Sequence, residues 1–264
     1  MIYCGFISAC VLAVSPVSSS SPESPDPRAD AALLQIESAG DGLDRLTGNV
    51  VYRKDDALLG SRDIRTGTVQ YERTQGTPRL SVEFTSRVVN RRRREELKRI
   101  VYADGWLIES DATNRQFIKR QLARAEDAPD PMRLGGPFPM PLGQKRSDVY
   151  KRFKVSVIEG EADPFVVPKK DETQILGLHL TPKADVPESE EWSSIDVWYD
   201  CESWMPIGIV AVETNGDSRR IRLGDVQVNP TMTEAQRAAM SVSEPSEEGW
   251  SIDVRPLPPP APAS

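Results

Sequence analysis

From residue 174 to residue 230 apolar and polar side chains alternate. An extended chain points successive side chains to opposite faces, so Leu176, Leu178 and Leu180 share one face, as do Ile195, Val197 and Tyr199. The alternation continues through 204–212 and 220–228, and Asn215-Gly216 between these two segments is a hairpin signal, because both residues tolerate positive φ. Residues 174–230 therefore predict an antiparallel meander with one apolar face.

The same period occurs earlier in the chain. Leu46, Gly48, Val50 and Tyr52 alternate with polar neighbours, Val69 and Tyr71 lie in a second run, and Leu80, Val82 and Phe84 in a third. Residues 100–108 read as a hairpin with Asp104-Gly105 at its tip, and 116–122 as a returning strand. Before these strands, Asp26-Pro27 predicts a helix start, with Leu33, Ile36, Gly40 and Leu43 as its apolar stripe. The basic run Arg91–Arg94 reads as a solvated loop or turn. Prolines and glycines forbid regular structure over 126–143, yet Met132, Leu134, Phe138, Met140 and Leu142 make that loop apolar enough to pack over something. Ser147 is the expected cap of a short helix carrying Val149, Tyr150 and Phe153. Residues 159–172 read as a charged loop, 231–240 as a short helix and 248–254 as a last strand.

Residues 1–17 are uncharged and mostly apolar, and a Ser/Pro-rich stretch follows. This is the pattern of a secretory signal peptide, too short for a comfortable membrane span, although no Lys or Arg precedes the apolar core. Ile7-Ser8-Ala9-Cys10 also resembles the lipobox of bacterial lipoproteins, in which the cysteine is acylated. Soluble export and anchoring through Cys10 both place the mature chain outside the cytoplasm. The expected organisation is a signal peptide at 1–20, a Ser/Pro linker at 21–28, one β domain at 29–255 and a disordered Pro-rich tail at 256–264.

Composition narrows the chemistry. The formal net charge of −7 argues against nucleic acid as a partner. With 38% hydrophobic residues, the sheet is expected to use one apolar face rather than two. His179 is the single histidine, which excludes a multi-histidine metal site. It lies opposite Leu178 and Leu180, as a polar-face strand residue would. Cys201 lies in a turn with no base-and-orienter pattern. A phosphate loop, a dinucleotide glycine fingerprint and a nucleophile elbow are all missing from the sequence.

This order of elements resembles the LolA family, the periplasmic carriers of outer-membrane lipoproteins. The resemblance rests on the helix-to-strand entry from Leu33 to Tyr52, the Asp104-Gly105 hairpin, Leu180-Thr181-Pro182-Lys183, and the segments Val226–Pro230 and Gly249–Val254. It covers about residues 29–254. It implies an incomplete antiparallel β-barrel with helices covering its concave face, and a carrier rather than an enzyme, with no cofactor. Acyl chains of a lipoprotein or lipid would be shielded in a hydrophobic cavity by a monomer. An inner-membrane ABC exporter would load it and an outer-membrane receptor would unload it. The family's Arg-Pro pair at its third strand corresponds here to Thr77-Pro78, with Arg79 displaced by one position and so turned to the other face.

For such a cavity the alternating residues are Val50, Tyr52, Leu80, Val82, Phe84, Trp106, Ile108, Leu178, Leu180, Val197, Ile209 and Leu223. The expected lid is Leu134, Phe138, Met140, Val149 and Phe153. Each of them would serve equally as ordinary core. Two other readings accompany the carrier: a membrane-anchored receptor or envelope-stress sensor on the same fold, and a hydrolase using Cys201 or His179.

Overall fold

The computed structural model describes residues 26–74, 77–124, 143–167, 174–246 and 248–258. Its first element is helix α1 (Pro27–Asp41). The Asp26 carboxylate accepts hydrogen bonds from the backbone N–H groups of Arg28 and Ala29, and Pro27 occupies the first turn, where its missing N–H costs nothing. Ala29, Ala32, Leu33, Ile36 and Gly40 form its buried stripe.

Six strands follow: β1 (Arg45–Asp55), β2 (Arg62–Thr74), β3 (Thr77–Val89), β4 (Arg92–Ala103), β5 (Trp106–Asp111) and β6 (Gln116–Gln121). Helix α2 (Arg146–Arg152) runs straight into β7 (Phe153–Val157) at the opposite edge of the sheet. From there β8 (Ile175–Pro182), helix α3 (Glu188–Glu191), β9 (Trp192–Asp200), β10 (Pro206–Glu213) and β11 (Ser218–Val228) return inward, until β11 pairs with β1. Helix α4 (Glu234–Ala238), opened by a Thr233/Gln236 capping box, precedes β12 (Ser251–Arg255).

The twelve strands form one sheet in the order β12-β6-β5-β4-β3-β2-β1-β11-β10-β9-β8-β7. All pairs are antiparallel except β12 with β6. The two edges, β12 and β7, do not meet, so the sheet is an open barrel, as the family resemblance implies.

Several local expectations change. Arg91–Arg94 is not simply a loop. Asn90 and Arg91, at φ 51° and 65°, make a tight turn, and β4 begins at Arg92. Cross-strand pairing with β3 needs only backbone groups, so exposed arginines continue the ladder. Asp104 and Gly105, at φ 52° and 79°, make the expected turn between β4 and β5. Ser147 lies inside α2 rather than capping it, and Lys145 stands at the cap without a side-chain hydrogen bond.

The sheet has an inner face, which packs on α1, and an outer face. The main core joins both halves of the sheet on the inner face. The outer face also buries apolar side chains in two places, contrary to the one-faced expectation. Val166 and Val167 cover Trp198 and Val210, so part of the segment read as a charged loop is a packed strap. Val101, Ile108 and Phe117 are covered by Val242, Trp250 and Ile252 from the C-terminal segment.

Candidate functional site: the covered inner face

Cross-strand register shows how separate strands build one apolar surface. One row runs Val157, Leu178, Val197, Ile209, Ile221, Tyr52. A second runs Leu46, Tyr71, Leu80, Tyr102. Between them lie Leu223, Val50 and Phe84, with Val69 and Val82 beside them. Pairs directly opposite each other in antiparallel strands have touching side chains, so these rows are continuous. The Tyr52 and Phe84 rings sit 6.2 Å apart, centroid to centroid. Burial pushes the Tyr52 hydroxyl above its ordinary pKa.

The first row ends in charge. Beyond Tyr52 come Arg65 and Arg87. Arg65 Nε donates to Glu96 at 3.0 Å, and Arg87 binds Asp63 through two hydrogen bonds at 3.0 and 2.9 Å. Thus the apolar layer has an ionic rim at the β1–β4 end. Gly67 lies in the middle row at the point where β3 bulges. A Cβ there would come within 1.8 Å of the Glu83 carbonyl oxygen, so no other residue fits this close approach.

Helices close the surface. Leu33 and Ile36 of α1 and Val149 of α2 belong to the same core cluster as the strand rows. Several polar contacts hold this cover. Arg146 Nη1 donates to both Asp30 carboxylate oxygens, at 2.9 and 2.8 Å, and the Arg146 backbone N–H donates to Glu37. Asp26 accepts the Val157 backbone N–H as well as its own helix amides, tethering α1 to β7; that hydrogen bond first, and the one from Arg28 next, hold its carboxyl below the usual range. Arg152 donates to Glu188 at 2.7 Å, joining α2 to α3, with both side chains largely buried.

Most of the residues expected to line an acyl cavity lie on this face. Val50, Leu80, Val82, Phe84, Leu178, Leu180, Val197, Ile209 and Leu223 are buried in the inner-face core, and Tyr52 packs at its margin. Val149 and Phe153 of the expected lid are there too. Trp106 and Ile108 are not. The tight turn pairs Ala103 with Trp106 and Tyr102 with Leu107, so Leu107 shares the face of Leu80. Trp106 and Ile108 therefore point to the outer face, where both join the Phe117 cluster and the Lys119 ammonium stands over the Trp106 ring. Leu134, Phe138 and Met140 lie outside the described residues. The residues of α1, and Tyr71, Tyr102, Ile195 and Ile221 of the sheet, were missed as site residues. The α1 stripe was visible in the sequence, but not the surface it covers.

The remaining candidates form no catalytic constellation among the described residues. His179 Nδ1 is 2.6 Å from Asp196 and Nε2 is 3.2 Å from Thr181 Oγ1, on the outer face. Burial, and then the Asp200 carboxylate, push the Cys201 thiol up, away from thiolate chemistry at neutral pH. No group of three potential metal ligands occurs among the described residues. Arg79 is on the outer face and faces Asp104 at 3.6 Å, turned away from the helical cover; Thr77, two residues before it on β3, shares that face, so the displacement by itself does not change the side, contrary to the expectation. The outer face also carries a hollow of about 510 Å³ lined by Asn49, Val51, Thr66, Thr68 and Arg222, without apolar depth for an acyl chain.

No protein-family model and no curated protein matches the chain. Among solved structures, MucB is similar at 12% identity and a TM-score of 0.48, over 81% of this chain; the chain spans 63% of MucB. A putative outer membrane lipoprotein-sorting protein domain from Vibrio parahaemolyticus is similar at 8% identity and a TM-score of 0.35, over 81% of this chain and 99% of the domain. A LolA superfamily protein from Nitrosomonas europaea is similar at 13% identity and a TM-score of 0.32, over 77% of this chain and 94% of its own. The solved structures similar to this chain thus include LolA superfamily and lipoprotein-sorting proteins, the family that its sequence resembles.

Proposed function

We propose that this protein is a lipid- or lipoprotein-binding carrier of the cell envelope that shelters acyl chains between its inner sheet face and its helical cover. The observation that carries this reading is the asymmetry of the inner face. An apolar surface contributed by strands from both halves of the sheet is covered, among the described residues, by α1, α2 and little else. Helix α1, held to α2 and to β7 by a few polar contacts, can separate from the sheet without unpairing any strand. Each buried acyl methylene then contributes about 0.8 kcal/mol. Entry requires that the ligand favour the opened state over the closed one. No bond need be made or broken for this.

In this reading the apolar N-terminus directs export, and the carrier works in the periplasm. Loading at an inner-membrane exporter and unloading at an outer-membrane receptor are the exchanges that such a carrier would serve. No helix among the described residues is long and apolar enough to cross a membrane.

Native mass spectrometry with lipid extraction, on protein purified from an envelope fraction, tests the reading. Discrete adducts of acylated species are expected, displaced by a fluorescent fatty acid. A clean apo mass, together with no uptake of an acylated peptide, would show that the inner face is merely core and would overturn the proposal.

A further inference from the structure

Leu58 and Leu59 are the most exposed large apolar side chains described, at 93% and 75%. They form the tip of the β1–β2 hairpin. The tip is not a loose loop. Asp56 accepts the Leu59 backbone N–H at 2.6 Å, the Asp56 N–H donates to the Ser61 carbonyl, and Asp217 from the β10–β11 turn accepts the Ala57 N–H at 2.9 Å. Two aliphatic side chains are thus held outward by hydrogen bonds from two hairpins.

The neighbouring hairpin, β3–β4, turns at Asn90 and Arg91 at the same end of the sheet, since Asp63 pairs with Val89. Its tip carries Arg91, Arg92, Arg93 and Arg94, all exposed. Arg93 donates to Ser86, while Arg91, Arg92 and Arg94 have no ion-pair partner among the described residues. Two strand spacings separate the hairpins, roughly 10 Å. An apolar tip and a hairpin end bearing four exposed arginines, whose strand residues alternate between the two faces of the sheet, therefore stand side by side, on a chain whose net charge is −7.

The geometry points to this end of the sheet as a docking surface for an anionic lipid bilayer. Leu58 and Leu59 would enter the acyl boundary while the arginines meet the phosphate groups. Hydrophobic insertion combined with a basic cluster gives reversible attachment, where either alone is weak. The exposed arginines give an acidic protein one end that can meet an anionic surface, and so one orientation of approach. Leu58 and Leu59 lie outside the apolar rows of the inner face, so this docking surface does not depend on the carrier reading.

Co-sedimentation with vesicles tests it. Vesicles of phosphatidylcholine alone are compared with vesicles of equal parts phosphatidylcholine and phosphatidylglycerol. The wild-type protein is expected to bind the mixed vesicles, less so at high salt, and not the neutral ones. Replacing Arg91, Arg92 and Arg94 together by Ser should lower partition about a hundredfold, at about fivefold per arginine. Leu58→Ser with Leu59→Ser should lower it at least about tenfold, with unchanged melting. No binding to mixed vesicles, equal binding to both compositions, or wild-type binding by both variants would overturn the proposal. So would capture of an acidic protein through the arginines without any vesicle binding.

Discussion

Arg146 Nη1 lies 2.9 and 2.8 Å from the two carboxylate oxygens of Asp30, and this contact ties the start of α2 to the first turn of α1. The side chains are 41% and 32% exposed, so the ion pair adds little to global stability, on the order of 0–1 kcal/mol. Its effect falls on the cover. Asp30→Ala should leave the melting temperature nearly unchanged while speeding uptake of a fluorescent fatty acid in stopped-flow mixing. Uptake at the wild-type rate would mean that the cover does not open at the α1–α2 contact.

Arg152 and Glu188 form a different kind of pair. At 11% and 13% exposed they are largely desolvated, and removing one partner leaves the other charge buried. Glu188→Ala should cost about 3–5 kcal/mol in denaturant unfolding. Glu159→Ala, which breaks the exposed contact to Arg28, serves as the comparison and should cost less than about 1 kcal/mol. Equal losses from the two substitutions would contradict the burial argument.

Gly67 and Gly224 are both strand glycines with opposite surroundings. A Cβ on Gly67 would collide with the Glu83 carbonyl, whereas one on Gly224 meets nothing within 4 Å. Gly67→Ala should destabilise by roughly 1–3 kcal/mol or more, and Gly224→Ala should be close to neutral. Thermal melts of the two variants check this, and a neutral Gly67→Ala would show that β3 can move away from β2 at the bulge.

Asp26 links α1 to β7 through a carboxyl held below its ordinary value of 3.8, first by the Val157 N–H. A depressed carboxyl contributes its full stabilisation above the unfolded pKa and loses it as pH falls through the lower folded value. The protection factor of the Val157 amide, its exchange rate corrected for the intrinsic pH dependence, should therefore hold down to about pH 4 and fall below that. In Asp26→Asn the protection should be lower at neutral pH and lack that acid-dependent fall. A wild-type profile in the Asn variant would remove Asp26 from the tether.

Alternation alone identified most of the strands, though not β7, whose Phe153 was read into the preceding helix, and it assigned the inner-face side chains of β1, β3, β8, β9, β10 and β11 correctly, because period-two burial is a local property of an extended chain. Likewise Asp26-Pro27, Asp104-Gly105 and Asn215-Gly216 marked a helix start and two turns through their own backbone preferences. Which face of β5 looks inward was not local. It depends on the pairing of Tyr102 with Leu107 across a tight turn, and a reading by alternation alone turned Trp106 and Ile108 to the wrong side. Arginines at 92–94 hid a strand whose backbone pairing tolerates any exposed side chain. The meeting of β1 with β11, strands 176 residues or so apart at Asn49 and Asp225, unites two meanders into one surface. Only the tertiary structure decided that union, the docking of α1 on it and the gathering of Leu58 and Leu59 beside the arginines. Each depends on contacts between segments distant in sequence, and no local pattern encodes such contacts.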